Sequence, residues 1–296
     1  VVLAGAGKMG AALLSGWIAR GLQPRDVIVQ EPNIAGDAAE LQRTHGFSVV
    51  SNLEALPSAP SVIVVAVKPQ AMDAVFAKGE GFEALEKVLY LQHSPYANPY
   101  DLTTFYDNHD MARMDATDDG FIDAHHWLFT ARGIPVVYYG SEMGFMRGTG
   151  EHAGNRNYFG VDGIATARQH PIHAALARIA TLRRDTPALQ RGLQFNLRMQ
   201  DRQAAFYRVL LDGETQQTAL VLLNASDAEE TLTLSAMVEP GVWTDAFSGE
   251  TINLTDQLQL PVPAHGIRVL LKYGALQNGA LITALRAQQA QQTVRK

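Results

Sequence analysis

Residues 1–14 read VVLAGAGKMGAALL: an apolar, strand-like run over 1–4, glycines at 5, 7 and 10, and a helical pattern over 9–19. A G-x-G-x-x-G spacing set between a strand and a helix carries more weight than the same letters elsewhere. The first glycine permits a tight turn, the second lets backbone approach a pyrophosphate, and the third lets the helix pack close to the strand. The helix N-terminus favours an anion. Gly5, Gly7, Lys8, Met9 and Gly10 are therefore the candidate cofactor-binding loop. Glu31 follows the next apolar run, 27–29, about 20 residues further on, where an acidic side chain accepts hydrogen bonds from ribose hydroxyls and repels a 2′-phosphate. This favours NAD(H) over NADP(H) as the dinucleotide. The plainer alternative is an ordinary strand–helix turn in which Glu31 is a solvated loop residue.

Outward from that loop, helical periodicity over 35–45 and an apolar run over 62–67 continue the alternation of a parallel α/β unit. The alternation resumes at Leu102, strand-like to Tyr106, helical over 121–131, strand-like over 135–139 and helical over 172–184. After Gly192 the texture changes to short alternating strands at 204–210, 218–224, 231–234 and 267–272, the pattern of an antiparallel sandwich. Asn224-Ala225-Ser226 reads as a turn between strands, and Trp243 and Phe247 as anchors of the sheet. Between 75 and 90 there is no Gly/Ser-rich or Pro-rich linker, only a weak helical pattern over 82–91. The tail 275–296, rich in Ala and Gln, suits a terminal helix or a frayed end.

At 296 residues the chain is long enough for two domains with substantial cores. A net charge of −6 supplies no basic field for phosphate backbones, which argues against nucleic acid and leaves small molecules or neutral polymers as partners. Without cysteine there is no disulfide, thiol catalysis or zinc–thiolate site. The run 62–67 is too short to span a bilayer and no basic-then-apolar signal segment opens the chain, so no membrane partner and a cytoplasmic location are expected. The chain opens at Val1 already inside a strand, which suggests trimming or joining of longer sequences. Composition does not set the oligomeric state.

The stretch GAGKMGAALLSGWIARG over 5–21, with VAVKPQ over 65–70, resembles the cofactor domain of the pyrroline-5-carboxylate reductase family. The resemblance covers about residues 1–76. It implies that the opening glycines hold the pyrophosphate of NAD(P)H and that Val67, Lys68 and Pro69 lie beside its nicotinamide end. Members of that family often use NADPH, and Glu31 stands where a small polar residue would meet the phosphate. The family carries its imino-acid site on a C-terminal helical domain, and nothing after Phe76 resembles one.

Further along, Phe105-Tyr106-Asp107-Asn108-His109-Asp110 closes a strand with acid, amide and imidazole groups, and at the C-terminal end of a barrel strand such a cluster faces an active site. A turn or cap cluster is the plain alternative, since Asp and Asn favour turns. A metal site drawing on His109, Asp110, His125 and His126 is a weaker one, because adjacent histidines on a helix point in different directions. FYDNHDMARMD over 105–115, GIPVVYYGSE over 133–142 and GNRNYF over 154–159 together resemble the alpha-amylase family, and the resemblance runs to the end of the chain. It implies that Asp110 is the acid that stabilises the transition state, that His109 hydrogen-bonds the sugar at the cleavage point, and that Asn108 and Arg156 are further substrate-side residues. Retaining hydrolysis needs a nucleophile and a general acid besides. The family's segments for those two are absent, and Glu142 and Glu151 fall in the loop after the last barrel-type strand.

The expected fold is thus α/β plus all-β: a Rossmann-like parallel half-domain (1–76), a partial (β/α) barrel segment (77–192), an antiparallel β-sandwich (193–274) and a tail (275–296). The expected function is that of a composite of two incomplete enzymes, without full activity but binding NAD(H). The alternatives are a glycosidase or glucanotransferase acting on α-glucans and an NAD(P)H-dependent pyrroline-5-carboxylate reductase of proline biosynthesis.

Overall fold

The structure is a computed structural model and describes residues 1–52, 63–65, 70–92, 94, 96, 98–151, 153–212 and 215–293. The chain divides into two compact units, Val1–Lys68 and Pro69–Lys296.

In the first unit β1 (Val2–Ala4), β2 (Ile28–Gln30), β3 (Ser48–Val50) and β4 (Ile63–Val65) form a parallel sheet in the order β3-β2-β1-β4. Helix α1 (Lys8–Ala19) connects β1 to β2, and α2 (Gly36–His45) connects β2 to β3. Leu3 and Val29 are fully buried with Leu14 of α1, Ala38 of α2 and Phe47, because parallel strands covered by helices read as continuous apolar runs. Strand β3 goes beyond the sequence expectation: three residues starting with Ser give no alternation to read. The chain order reverses direction across the sheet between β1 and β4, and in such sheets ligands bind beyond the strand C-termini at that point.

In the second unit α3 (Gln70–Phe76) and α4 (Glu83–Glu86) precede β5 (Thr103–Thr104), α5 (Asp118–Thr130) and β6 (Ile134–Pro135). Helices α6 (Gly160–Gln169), α7 (Pro171–Asp185) and α8 (Pro187–Arg191) follow. The domain junction expected at 76 falls later than the boundary between compact units because α3 gives Met72, Val75 and Phe76 to the core of this unit. The strand expected over 135–139 shortens to β6, which pairs in parallel with β5. Val136 N donates to Thr104 O at 2.8 Å as the last rung, and beyond it no second neighbour among the described residues holds the chain extended. The helix expected over 82–91 contracts to α4. Helix α5 starts earlier than its apolar pattern because Thr117 caps it, accepting from Gly120 N at 3.1 Å.

Strands β7 (Leu193–Gln200), β8 (Gln203–Asp212), β9 (Thr215–Asn224), β10 (Glu230–Leu234), β11 (Gly241–Asp245), β12 (Thr251–Leu254), β13 (Leu258–Val262) and β14 (Gly266–Tyr273) are antiparallel. Six of them run in the order β12-β11-β14-β9-β8-β7, and β10 pairs with β13. Period-two alternation puts Ala204, Phe206 and Leu210 of β8 against the helical part of the unit, while Ala205, Tyr207 and Val209 face the sandwich interior with Trp243. Trp127 of α5 joins the two parts, its ring 5.8 Å from Phe82 and 5.6 Å from Phe206. The tail forms helix α9 (Gly279–Thr293), whose Leu281 and Leu285 are buried in the sandwich core.

His265, in the turn between β13 and β14, clamps α5 to the sandwich. Its Nδ1 lies 2.7 Å from Asp123 of α5 and its Nε2 2.8 Å from Asp227. Asp123 raises the imidazole to about 9, with Asp227 and Asp119 adding to it, whereas burial lifts the Asp123 carboxyl to about 6 against the pull of His265 and Arg202. A histidine held above its unfolded value of about 6.5 contributes stability that is complete below that pH and gone above the folded value. Asp123, whose folded value is likewise raised, has the same sign, but its loss of stability with rising pH is complete by about 6. Stability is therefore expected to fall as the pH rises from about 6.5 to 9, and His265→Gln is expected to flatten that fall. Urea midpoints across this range test it, and equal slopes in the two proteins would rule the clamp out.

Candidate functional site

The glycine loop joins β1 to α1. Gly5 sits at φ 91°, a left-handed conformation that favours glycine, and its N–H donates to Gln30 O at 2.9 Å. A Cβ on Gly10 would lie 2.3 Å from Gly5 O, so helix and strand approach as closely as the third glycine allows. A Cβ on Gly7 would meet nothing within 4 Å, leaving open space above the N-terminus of α1. That helix has no side-chain cap and no acidic residue in its first turn, so its leading amides keep their attraction for an anion. Glu31 follows β2 and reaches back to the loop, Oε2 accepting from Ala6 N at 2.9 Å and Oε1 from Asn33 N at 3.3 Å. The structure brings Gly5, Gly7, Gly10 and Glu31 together. It gives the backbone of Lys8 and Met9 as the start of α1, while Val67, Lys68 and Pro69 lie outside the described residues.

The second cluster follows β5. Asn108 Oδ1 accepts from Asp110 N at 2.8 Å, a turn that sets His109 and Asp110 side by side. Asp110 Oδ1 accepts from Arg156 at 2.7 Å and its Oδ2 lies 3.3 Å from His109 Nε2. Arg156 Nε and Asn155 Nδ2 both donate to His109 O, so the GNRNYF loop is tied to the turn. Asn108 thus shapes the turn and Arg156 pairs with the acid.

Beneath them lie residues that the sequence did not single out. Asp107 is buried and accepts from Met114 N and Ser141 Oγ, both at 3.1 Å, while burial raises its carboxyl. Arg113, also buried, donates to Tyr139 O and Gly154 O and lies 4.7 Å from the centre of the Tyr138 ring. Their signal was present in the runs DNHDMAR and YYGSE, but polar residues in a loop give no sign of burial until the partner segment is known. His125 is buried against the Tyr106 hydroxyl at 2.7 Å, and burial pushes it down to about 3 and His126 to about 4, which keeps both neutral. Among the described residues no group of three or more His, Cys, Asp or Glu is placed to hold a metal ion. Trp127 and Leu128 are core.

Residues 1–89 match a family model described as NADP oxidoreductase, coenzyme F420-dependent. Over 217 residues the chain is 28% identical to an alpha-amylase of Streptomyces lividans, covering 61% of this chain and 23% of that protein. The front resembles an oxidoreductase cofactor domain and the back the alpha-amylase family. A cyclomaltodextrin glucanotransferase of Geobacillus stearothermophilus is 35% identical over 102 residues, covering 33% of this chain and 14% of that enzyme. The chain thus spans less than a quarter of the length of these curated relatives. A solved alpha-amylase of Anoxybacillus superposes with a TM-score of 0.61 at 20% identity, over 91% of this chain and 57% of that one. An alpha-amylase of Geobacillus thermoleovorans, complexed with acarbose, gives 0.58 at 19% identity, over 93% and 58%. At these identities the likeness shows fold alone. No helix among the described residues is long and apolar enough to cross a membrane.

Proposed function

We propose that the first unit binds a dinucleotide, with NADH preferred over NADPH, in a composite chain that completes neither parent chemistry. The observation behind this reading is the division of labour among three glycines: Gly5 at positive φ, Gly7 open to solvent and Gly10 pressed on Gly5 O. Gly7 and the first amides of α1 would hold the pyrophosphate, and Glu31 would face the adenosine ribose. Each Glu31 oxygen accepts one amide and keeps a second lone pair for a ribose hydroxyl. A bound nicotinamide would supply hydride chemistry. The matched model is named for NADP, yet a carboxylate at position 31 repels the extra phosphate.

In the second unit Asp110 is a helper acid paired with Arg156, and it cannot be nucleophile and proton donor at once. Upstream of β5 the described residues lead back through α4 and α3 to the parallel unit. Glycosidase action on α-glucans, the second reading, rests on the assembled Asp110–His109 turn.

Fluorescence titration with NADH and NADPH, alongside a melting curve, tests the proposal. NADH is expected to bind at least about tenfold more tightly, about 1.4 kcal/mol. Equal or tighter NADPH binding would remove the preference. The same preparation is expected to reduce no pyrroline-5-carboxylate and to release no product from maltooligosaccharides. Product formation that Asp110→Asn abolishes would replace this reading with the glycosidase one.

A further inference from the structure

We propose that Glu31 is a positioning residue that braces the glycine loop in its anion-binding shape, so that it acts on the pyrophosphate end of the ligand as well as on the ribose. The proposal rests on the dinucleotide reading above. Two consecutive amides of the loop are strapped to the region just after β2. Gly5 N donates to the backbone oxygen of Gln30 at 2.9 Å, and Ala6 N donates to Glu31 Oε2 at 2.9 Å. The first strap is backbone and survives any substitution, whereas the second exists only while residue 31 offers an acceptor of the right reach. Glu31 is itself held at both ends, its N–H donating to Val50 O at 3.0 Å and its Oε1 accepting from Asn33 N at 3.3 Å. Ala6 is 6% exposed, so loss of the carboxylate leaves a nearly buried amide without its acceptor, and the loop must turn to satisfy it. That turn moves Gly7 and the first amides of α1 away from where a phosphate would sit. A carboxylate that touched only ribose would have no such effect.

The two roles separate with a ligand that lacks the adenosine half. Reduced nicotinamide mononucleotide carries a phosphate for the loop but lacks the adenosine ribose that residue 31 would meet. Glu31→Gln keeps an amide oxygen at the same reach, Glu31→Asp keeps the charge but falls short of Ala6 N, and Glu31→Ala loses both. Binding of the mononucleotide is expected to stay within about threefold of wild type in Glu31→Gln, and binding of both ligands to weaken by about tenfold or more in the other two. Melting curves of Glu31→Asp and Glu31→Gln show whether both variants are folded at the assay temperature. Mononucleotide affinity equal to wild type in a folded Glu31→Asp would overturn the brace. Failure of the unaltered chain to bind NADH would overturn the dinucleotide reading itself, and the brace with it.

Discussion

Gly7→Val is expected to abolish NADH binding, raising Kd by at least about a hundredfold, about 2.7 kcal/mol, while leaving the fold in place. The two halves of that expectation come from the same fact. A Cβ at Gly7 meets no atom within 4 Å, and the backbone there, φ −66° and ψ −169°, is one that any L-residue adopts. Replacing glycine at a helix N-cap with an aliphatic residue costs at most about 1 kcal/mol. The added methyls instead fill the space that a pyrophosphate needs. Gly10→Ala is the contrasting control, because its Cβ would sit 2.3 Å from Gly5 O and force helix and strand apart. That variant is expected to lose about 1–3 kcal/mol of stability as an overpacked site. Fluorescence titration and thermal melting of both variants separate loss of site from loss of fold. Wild-type affinity in Gly7→Val would show that the loop is not the nucleotide site.

What the sequence disclosed and what it withheld divide along the same physical line. The glycine loop was legible because its three constraints act within six residues of chain, and β8 and β9 because strands buried on both faces leave apolar runs, 204–207 and 219–223, that stand out from their polar flanks. The turn at Asn224 was legible for a similar reason, its Oδ1 accepting from Ser226 N at 3.0 Å. Groups whose meaning depends on distant partners were not. Nothing local to Arg183 or Arg208 marks either as a core cation, yet their guanidinium groups are buried and donate to Phe129 O, Ala131 O and Gly133 O, and to Thr130 O and Gly192 O. The carbonyls of Phe129, Thr130, Ala131 and Gly133 lie at the C-terminal end of α5 and just beyond it, where cations are favoured. The order of residues 129–133 thus depends on side chains fifty or more residues away. The run 135–139 failed as a strand for the same reason, since strand propensity is realised only against a neighbour. At the Asp110 turn the polar residues could be identified by resemblance, but the burial of Asp107 and Arg113 beneath them could not.

The same kind of long-range partnership holds at Glu239 in the sandwich. It is fully buried, pairs with Lys272 Nζ, and accepts from Gln277 N at 2.9 Å and Asn278 N at 2.9 Å. Asn278 in turn caps α9 by accepting from Leu281 N at 3.0 Å, so one carboxylate fixes both β14 and the entry to the terminal helix. Glu239→Ala would leave the Lys272 ammonium, 9% exposed, without its counter-charge and two amides without their acceptor. Breaking a buried pair from one side costs about 3–5 kcal/mol, because the remaining charge keeps its desolvation penalty and loses its attraction. Glu239→Ala is expected to lose that much stability. Lys272→Met should cost less, since the carboxylate it strands still accepts the two amides, and Glu239→Gln less than Glu239→Ala, since an amide oxygen can keep one of them. The Trp243 indole donates to Glu239 O at 3.1 Å, which places a fluorescent probe beside the pair for urea unfolding. A Glu239→Ala protein within about 1 kcal/mol of wild type would mean that the pair is an exposed surface contact in solution, and α9 would then have to be held by Leu281 and Leu285 alone.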